Sequence, residues 1–256
     1  MPSSPKLYSE QLHANVLVLH GHGQSGQFIS CKTQFLQAPL IPAIRESLEN
    51  NASHLKVHTV NFYYPTGMFP AEPDHPNVEN NISWAWGYGE AEIEQMSGYQ
   101  ESIQQLLAIL EEYGPFVGIM GFSTGATLAA ALASILETRE SHFGTPFETT
   151  HPPFQFAVCF SGFKLENEVY DSIYSPKIQT PILHVAGNLD PMIDPARTKR
   201  LAGSCANASF YQFSGSHYIP RSVDFVKTLT EFVKQALSGN RGEFDSGSED
   251  DEWEDV

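Results

Sequence analysis

Three residues of this chain stand where acyl transfer to a serine would need them: Ser123, Asp190 and His217. A serine hydroxyl is a weak nucleophile until a neutral imidazole takes its proton. The imidazole in turn needs a carboxylate to fix its tautomer and to stabilise its charged form. Ser123 is the centre of Gly121-Phe122-Ser123-Thr124-Gly125, a G-x-S-x-G pattern. A turn that sharp drives the serine backbone into a strained region and leaves no room for side chains beside it, which is why glycines flank it. The bland reading is a short chance pattern whose serine merely caps a helix. The context favours the nucleophile, because an apolar run from Phe116 to Met120 precedes the turn and an Ala- and Leu-rich helix, Ala126 to Leu136, follows it.

Asp190 closes a Gly187-Asn188-Leu189-Asp190 turn, and His217 sits in Gly215-Ser216-His217, each directly after an apolar run. Taken singly, one could be a turn acid and the other a loop histidine. Taken together, the order nucleophile, acid, histidine is that of α/β-hydrolases and of neither other serine-protease order. Asp194 is a rival acid, placed further from the strand exit. Two backbone donors are expected to face a developing oxyanion: the N–H of Thr124 at the start of its helix, and that of His22 after the first strand.

The His22 loop, Gly21-His22-Gly23-Gln24-Ser25-Gly26, also reads as G-x-G-x-x-G. A dinucleotide site would need an acid at the end of the next strand. That strand ends instead in Asn61-Phe62-Tyr63-Tyr64. His20 and His22 lack a third ligand at a recognisable spacing, so neither a metal nor a cofactor is expected.

Residues so far apart converge only if a sheet gathers them. Apolar runs at Val16–His20, Leu55–Val60, Phe116–Met120, Phe154–Phe160, Thr180–Ala186 and Ala208–Phe213 read as strands. Helical spacing falls between them at Cys31–Asn50, Gly98–Tyr113, Ala126–Leu136 and Pro195–Ala202, and after them at Ser222–Leu237. Pro39 and Pro42 are expected to split the first of these helices in two. The alternation predicts an α/β fold, a doubly wound, mostly parallel sheet of about six strands, with chemistry at the strands' carboxyl ends. From Phe62 to Ser97 the periodicity fails, and prolines and aromatics dominate. Such a stretch is usually a functional loop or lid. Its aromatics either wall an acyl pocket or cover the edge of the core.

The 256 residues suffice for one such domain, expected at 15–238 behind an arm at 1–14. Of the net charge of −16, eight charges lie between Glu243 and Val256, so 239–256 reads as a solvated, disordered acidic tail. The balance disfavours nucleic acid, and no basic run stands out to receive an acidic acyl carrier. No apolar run would span a membrane, and no secretory signal is read at the start. Cys31, Cys159 and Cys205 form no close pair, which suits a reducing compartment, the cytoplasm or the nucleus.

Beyond the triad, His20-Gly21-His22-Gly23-Gln24-Ser25-Gly26, Gly118 to Ala126, Phe160-Ser161-Gly162-Phe163, the Gly187–Asp190 turn and the loop from Gly215 to Pro220 occur together. From Val16 to Leu237 the chain thereby resembles the FSH family of serine hydrolases, the ovarian-cancer-gene-2 type, and fungal members in particular. It departs at Thr124, where many relatives have Gln, and at Gly23, where a bulkier residue is usual. The resemblance implies a small cytosolic α/β-hydrolase without a large cap domain, cleaving carboxylic esters of short to medium acyl chains. It equally implies a thioesterase that releases a polyketide chain from its synthase. The pocket would then be lined by Phe122, Phe163, Met192 and Tyr218, with loop aromatics such as Tyr63 or Trp84. A reading of another class keeps a hydrolase-like scaffold that holds a basic partner through the acidic tail and Trp253.

Overall fold

The computed structural model describes residues 11–52, 56–72, 83–90, 93–139 and 147–239. Six strands pair in parallel throughout: β1 (Gln11–Leu19), β2 (Lys56–Tyr63), β5 (Phe116–Phe122), β6 (Phe156–Phe160), β7 (Ile182–Gly187) and β8 (Ala208–Phe213). Their order across the sheet is β2-β1-β5-β6-β7-β8. The chain first steps from β1 outward to β2, then crosses back to add β5, β6, β7 and β8 in turn on the other side. The carboxyl ends of β1 and β5 therefore flank the point where the winding reverses, which is where an open parallel sheet leaves a crevice.

Two apolar layers cover the sheet, as they must when the central strands are buried on both faces. On one side α1 (Gly26–Asn51) packs beside α6 (Val223–Leu237), burying Leu36, Leu40 and Ile44 with Phe225, Leu229 and Val233. On the other lie α2 (Tyr99–Tyr113), α3 (Thr124–Thr138), the short α4 (Asp171–Tyr174) and α5 (Pro195–Gly203). Every residue of α3 from Gly125 to Leu136 is buried, and its alanines let the helix sit close against β5 and β6.

Three expectations need correcting. β1 begins at Gln11, so residues 11–14, assigned to a polar arm, are in the sheet. The first helix is continuous from Gly26 to Asn51 with Pro39 and Pro42 inside it. Pro42 is exposed and Pro39 half-buried, so both stand off the buried face, whose packing holds the helix together. The stretch from Phe62 to Ser97 is not structureless. β2 runs on to Tyr63, and β3 (Phe69–Pro70) pairs antiparallel with β4 (Trp84–Ala85), two strands too short to show a period in sequence. The acidic tail from 240 to 256, including Trp253, and arm residues 1–10 lie outside the described residues. Among the described residues no helix is long and apolar enough to cross a membrane.

His20 latches this ribbon segment onto the exit of β1. Its buried ring accepts a hydrogen bond at Nε2 from the Gly67 N–H (2.9 Å), so Nδ1 carries the proton that goes to the Gly21 carbonyl (2.7 Å). Trp86 stacks on the ring at 4.7 Å and donates its indole N–H to the His20 carbonyl. With both nitrogens committed, His20 has nothing left for a metal. Burial pulls its pKa from 6.5 down to about 4, against the hydrogen bond to Gly21. His184, fully buried in β7, is likewise pulled down by burial to about 3.

A folded chain that keeps these rings neutral where an unfolded one would protonate them loses stability as the pH falls. His20 alone should withdraw about 3 kcal/mol between pH 6.5 and about 4. Urea midpoints measured across that range should fall, and fall less steeply in a His20→Gln variant.

Candidate active site

The β5–α3 turn is built by close approach. A Cβ on Gly121 would lie 2.2 Å from the Gly125 carbonyl oxygen, and one on Gly125 would lie 2.4 Å from that of His20. Only glycines let α3 start so close to the ends of β1 and β5. Ser123 between them has φ 54°, a left-handed value that costs a non-glycine residue energy and is tolerated because the surroundings enforce it. Its backbone N–H is tied to the Phe160 carbonyl at 2.8 Å. Its side chain makes no capping hydrogen bond, so the N-cap reading fails and the hydroxyl is left for other work.

Asp190 and His217 come from the loops after β7 and β8, which are bound to each other. The Asn188 N–H reaches the Phe213 carbonyl and the Leu189 N–H the Gly215 carbonyl, both at 2.9 Å. His217 Nδ1 lies 2.7 Å from Asp190 Oδ2. The other carboxylate oxygen, Oδ1, accepts the N–H groups of Met192 and Ile193, each at 2.9 Å. Burial alone would push the Asp190 carboxyl up. The Ile193 N–H, His217, the Met192 N–H and Ser161 together outweigh it and hold the carboxyl below its ordinary value. Asp194, the rival acid, caps α5 through the Ala196 N–H instead.

The imidazole reaches the nucleophile turn through Phe122, whose ring lies 4.7 Å from that of His217. The β1-exit loop closes over the same point, since a Cβ on Gly21 would come within 3.3 Å of the Ser123 Cβ. In that loop the N–H groups of Gly21, Gly23 and Gln24 are all engaged, by Gln24 Oε1, the Trp84 carbonyl and the Gly21 carbonyl. The N–H groups of His22 and Thr124 take no partner among the described residues. His22 and Thr124 are both among the residues that line one cavity.

That cavity, about 370 Å³, is walled by Trp86, Tyr88, Met96, Tyr99 and Phe163, with Arg197 stacked over Phe163 at 4.6 Å. The Thr124 hydroxyl, unpaired among the described residues, belongs to a residue lining the same space. A second cavity of about 460 Å³ contains His217, Phe122 and Tyr218. A larger cleft, about 680 Å³, opens at the opposite pole by Gln155, Pro181 and Ala208, and holds none of these groups.

Of the expected pocket residues, Phe163 therefore lines one cavity and Phe122 and Tyr218 the other. Met192 lines neither: its side chain is exposed, and its part is the backbone bond to Asp190. Tyr63 packs against Tyr113 and Phe116 and covers the core edge, and Trp84 pairs with Gln24, so neither faces the two cavities. The loop aromatics thus divide between covering the core and, at Trp86 and Tyr88, walling a pocket.

Ser161 was not among the expected site residues. It also has positive φ, 48°, and its hydroxyl donates to Asp190 Oδ2 at 2.9 Å, beside His217. The available signal was its position, directly after the β6 run and before a glycine.

A family model described as Serine hydrolase (FSH1) matches residues 11–229. Saccharomyces cerevisiae "Family of serine hydrolases 2" is 33% identical over 237 residues, covering 86% of this chain and 98% of that protein. A Schizosaccharomyces pombe protein named dihydrofolate reductase is 31% identical over 86% of this chain, which spans only 47% of its length. Among solved structures, Zea mays acyl-protein thioesterase 2 superposes with a TM-score of 0.60 at 19% identity, over 92% of this chain and 97% of that one. This likeness carries the α/β-hydrolase fold, and among the described residues no large cap domain is inserted into it.

Two outcomes follow from this geometry. Gly125→Ala forces a methyl group into the β1 backbone and should cost about 3 kcal/mol or prevent folding, read as the urea midpoint. Ser161→Ala removes one of four donors to Asp190 and should lower kcat about tenfold on a simple acyl ester while leaving the unfolding free energy within about 1 kcal/mol of the unsubstituted protein's.

Proposed function

This chain belongs to the serine hydrolase (FSH1) family, and on that premise we propose that it hydrolyses carboxylic esters or thioesters of short to medium acyl chains through Ser123, His217 and Asp190. The observation that carries the reading is the 2.7 Å contact of His217 Nδ1 with a buried, multiply bonded Asp190 carboxylate, on the same strand-end rim as a strained serine. With Nδ1–H donated to Asp190, the lone pair of Nε2 is free to take the Ser123 proton.

Ser123 Oγ would attack the acyl carbonyl as its proton passes to His217 Nε2. The carbonyl oxygen, now negative, would be met by the N–H groups of His22 and Thr124. When the tetrahedral species collapses, His217 returns that proton to the departing alcohol or thiol, leaving the acyl group on Ser123. Water then attacks by the same steps and releases the acid. The 370 Å³ cavity beside the two donors lies at the small end of the range for ligand pockets, about 300–1,000 Å³, which suits a chain of short to medium length. A synthase-bound thioester would be cleaved by the same steps. All three cysteines are free, in keeping with a reducing compartment. The scaffold reading rests on the tail, outside the described residues.

A fluorophosphonate probe should label the protein, and Ser123→Ala should abolish the label. Ser123→Ala and His217→Ala should each lower turnover on the order of a million-fold, the size seen when a serine-protease triad is dismantled. Asp190→Asn should cost about ten-thousand-fold. Wild-type turnover in both of the first two variants would overturn the reading.

A further inference from the structure

We propose that the leaving group of the natural substrate carries a phosphate, received by Lys32 and Arg221 at the mouth of the 460 Å³ cavity on the His217 side. The proposal rests on the hydrolase reading above. The group that His217 protonates must depart on the side where His217 stands. That side is lined by His217, Phe122 and Tyr218, with Phe28 and Lys32 from α1 and Arg221 from the approach to α6.

The charges there run against those of the molecule. The chain has 30 acidic and 14 basic residues, yet two of the basic ones line this cavity and no acidic residue does. Neither forms an ion pair among the described residues. Both are held in place by aromatic rings on one stripe of α1, Lys32 Nζ 5.0 Å from the Phe28 ring centre and Arg221 Cζ 4.9 Å from that of Phe35. Of the other such pairs, Arg197 over Phe163 lines the 370 Å³ cavity, and Lys164 over Tyr174 and Lys199 over Phe210 line neither, so only the 460 Å³ cavity gathers two such cations. Phe28 and Ile29 from the first turn of the 26-residue α1, with Gln24 just ahead of it, line the same space, so the positive dipole end of that helix lies beside it. A lysine point charge and an arginine fork converging from different elements suit a doubly charged group with several acceptor oxygens.

The test compares kcat/KM within two matched pairs that share one short acyl chain. One pair is the coenzyme A thioester against the N-acetylcysteamine thioester. The other is the 1-acylglycerol 3-phosphate against the 1-acylglycerol. In at least one pair the phosphate-bearing member should be preferred about tenfold at low salt, the size two exposed charge pairs support together. The preference should shrink as salt rises and collapse toward unity in Lys32→Met/Arg221→Met. The ratio is taken within each variant, so a general loss of activity cancels. The pair that shows the preference tells a thiol from an alcohol. Equal rates within both pairs, or a preference that survives the double substitution, overturn the proposal. Labelling of Ser123 by a fluorophosphonate with none of the four cleaved overturns it while the hydrolase reading stands. Neither labelling nor cleavage removes that reading and the proposal together.

Discussion

The close approach of the α3 amino end to the carboxyl ends of β1 and β5 is the constraint on which the rest of the site depends. Gly125 stands where any side chain would collide with the Leu19 and His20 carbonyls, and Gly121 where it would collide with Gly125 itself. Because the helix starts there, the Thr124 N–H is left unbonded beside Ser123, and the β1-exit loop can bring the His22 N–H to the same cavity. The strain at Ser123 is the cost of this arrangement, offset by a helix buried along nearly its whole length.

Around that turn, two buried ionisable groups are driven to opposite states by their hydrogen bonds. His20 has an N–H to donate and a lone pair that accepts from Gly67, so the neutral ring is fully used and burial keeps it neutral. Asp190 faces four donors and no competing acceptor, so it stays charged in spite of burial. The first makes a rigid peg for the loop that carries Trp86. The second makes a fixed negative charge under His217. Exchanging the surroundings would lose both functions.

The wider frame is common and the lining is particular. The maize thioesterase shares the fold at 19% identity, and the chain spans about half the length of some curated relatives it matches. The sheet and its reversal of winding therefore account for where the chemistry sits, and the residues around the two cavities must account for what is cleaved. The cavity lined by His22 and Thr124 is mostly aromatic with one guanidinium, and the cavity on the His217 side is basic on an acidic chain.

Much of this was legible in the sequence. The alternation of apolar runs with helical spacing determined the sheet, and the glycines around Ser123 with the strand-end positions of Asp190 and His217 determined the candidate triad, because each signal is local. Beyond its reach were the continuity of α1 through two prolines and the β3–β4 ribbon, where packing overrode or hid the local pattern. The bonds of His20 to Gly67 and of Ser161 to Asp190, and the meeting of Lys32 with Arg221 at one cavity, were decided by tertiary structure alone. Residues that touch only when distant strands and helices are packed leave no periodicity in the chain, so nothing short of the folded arrangement can pair them.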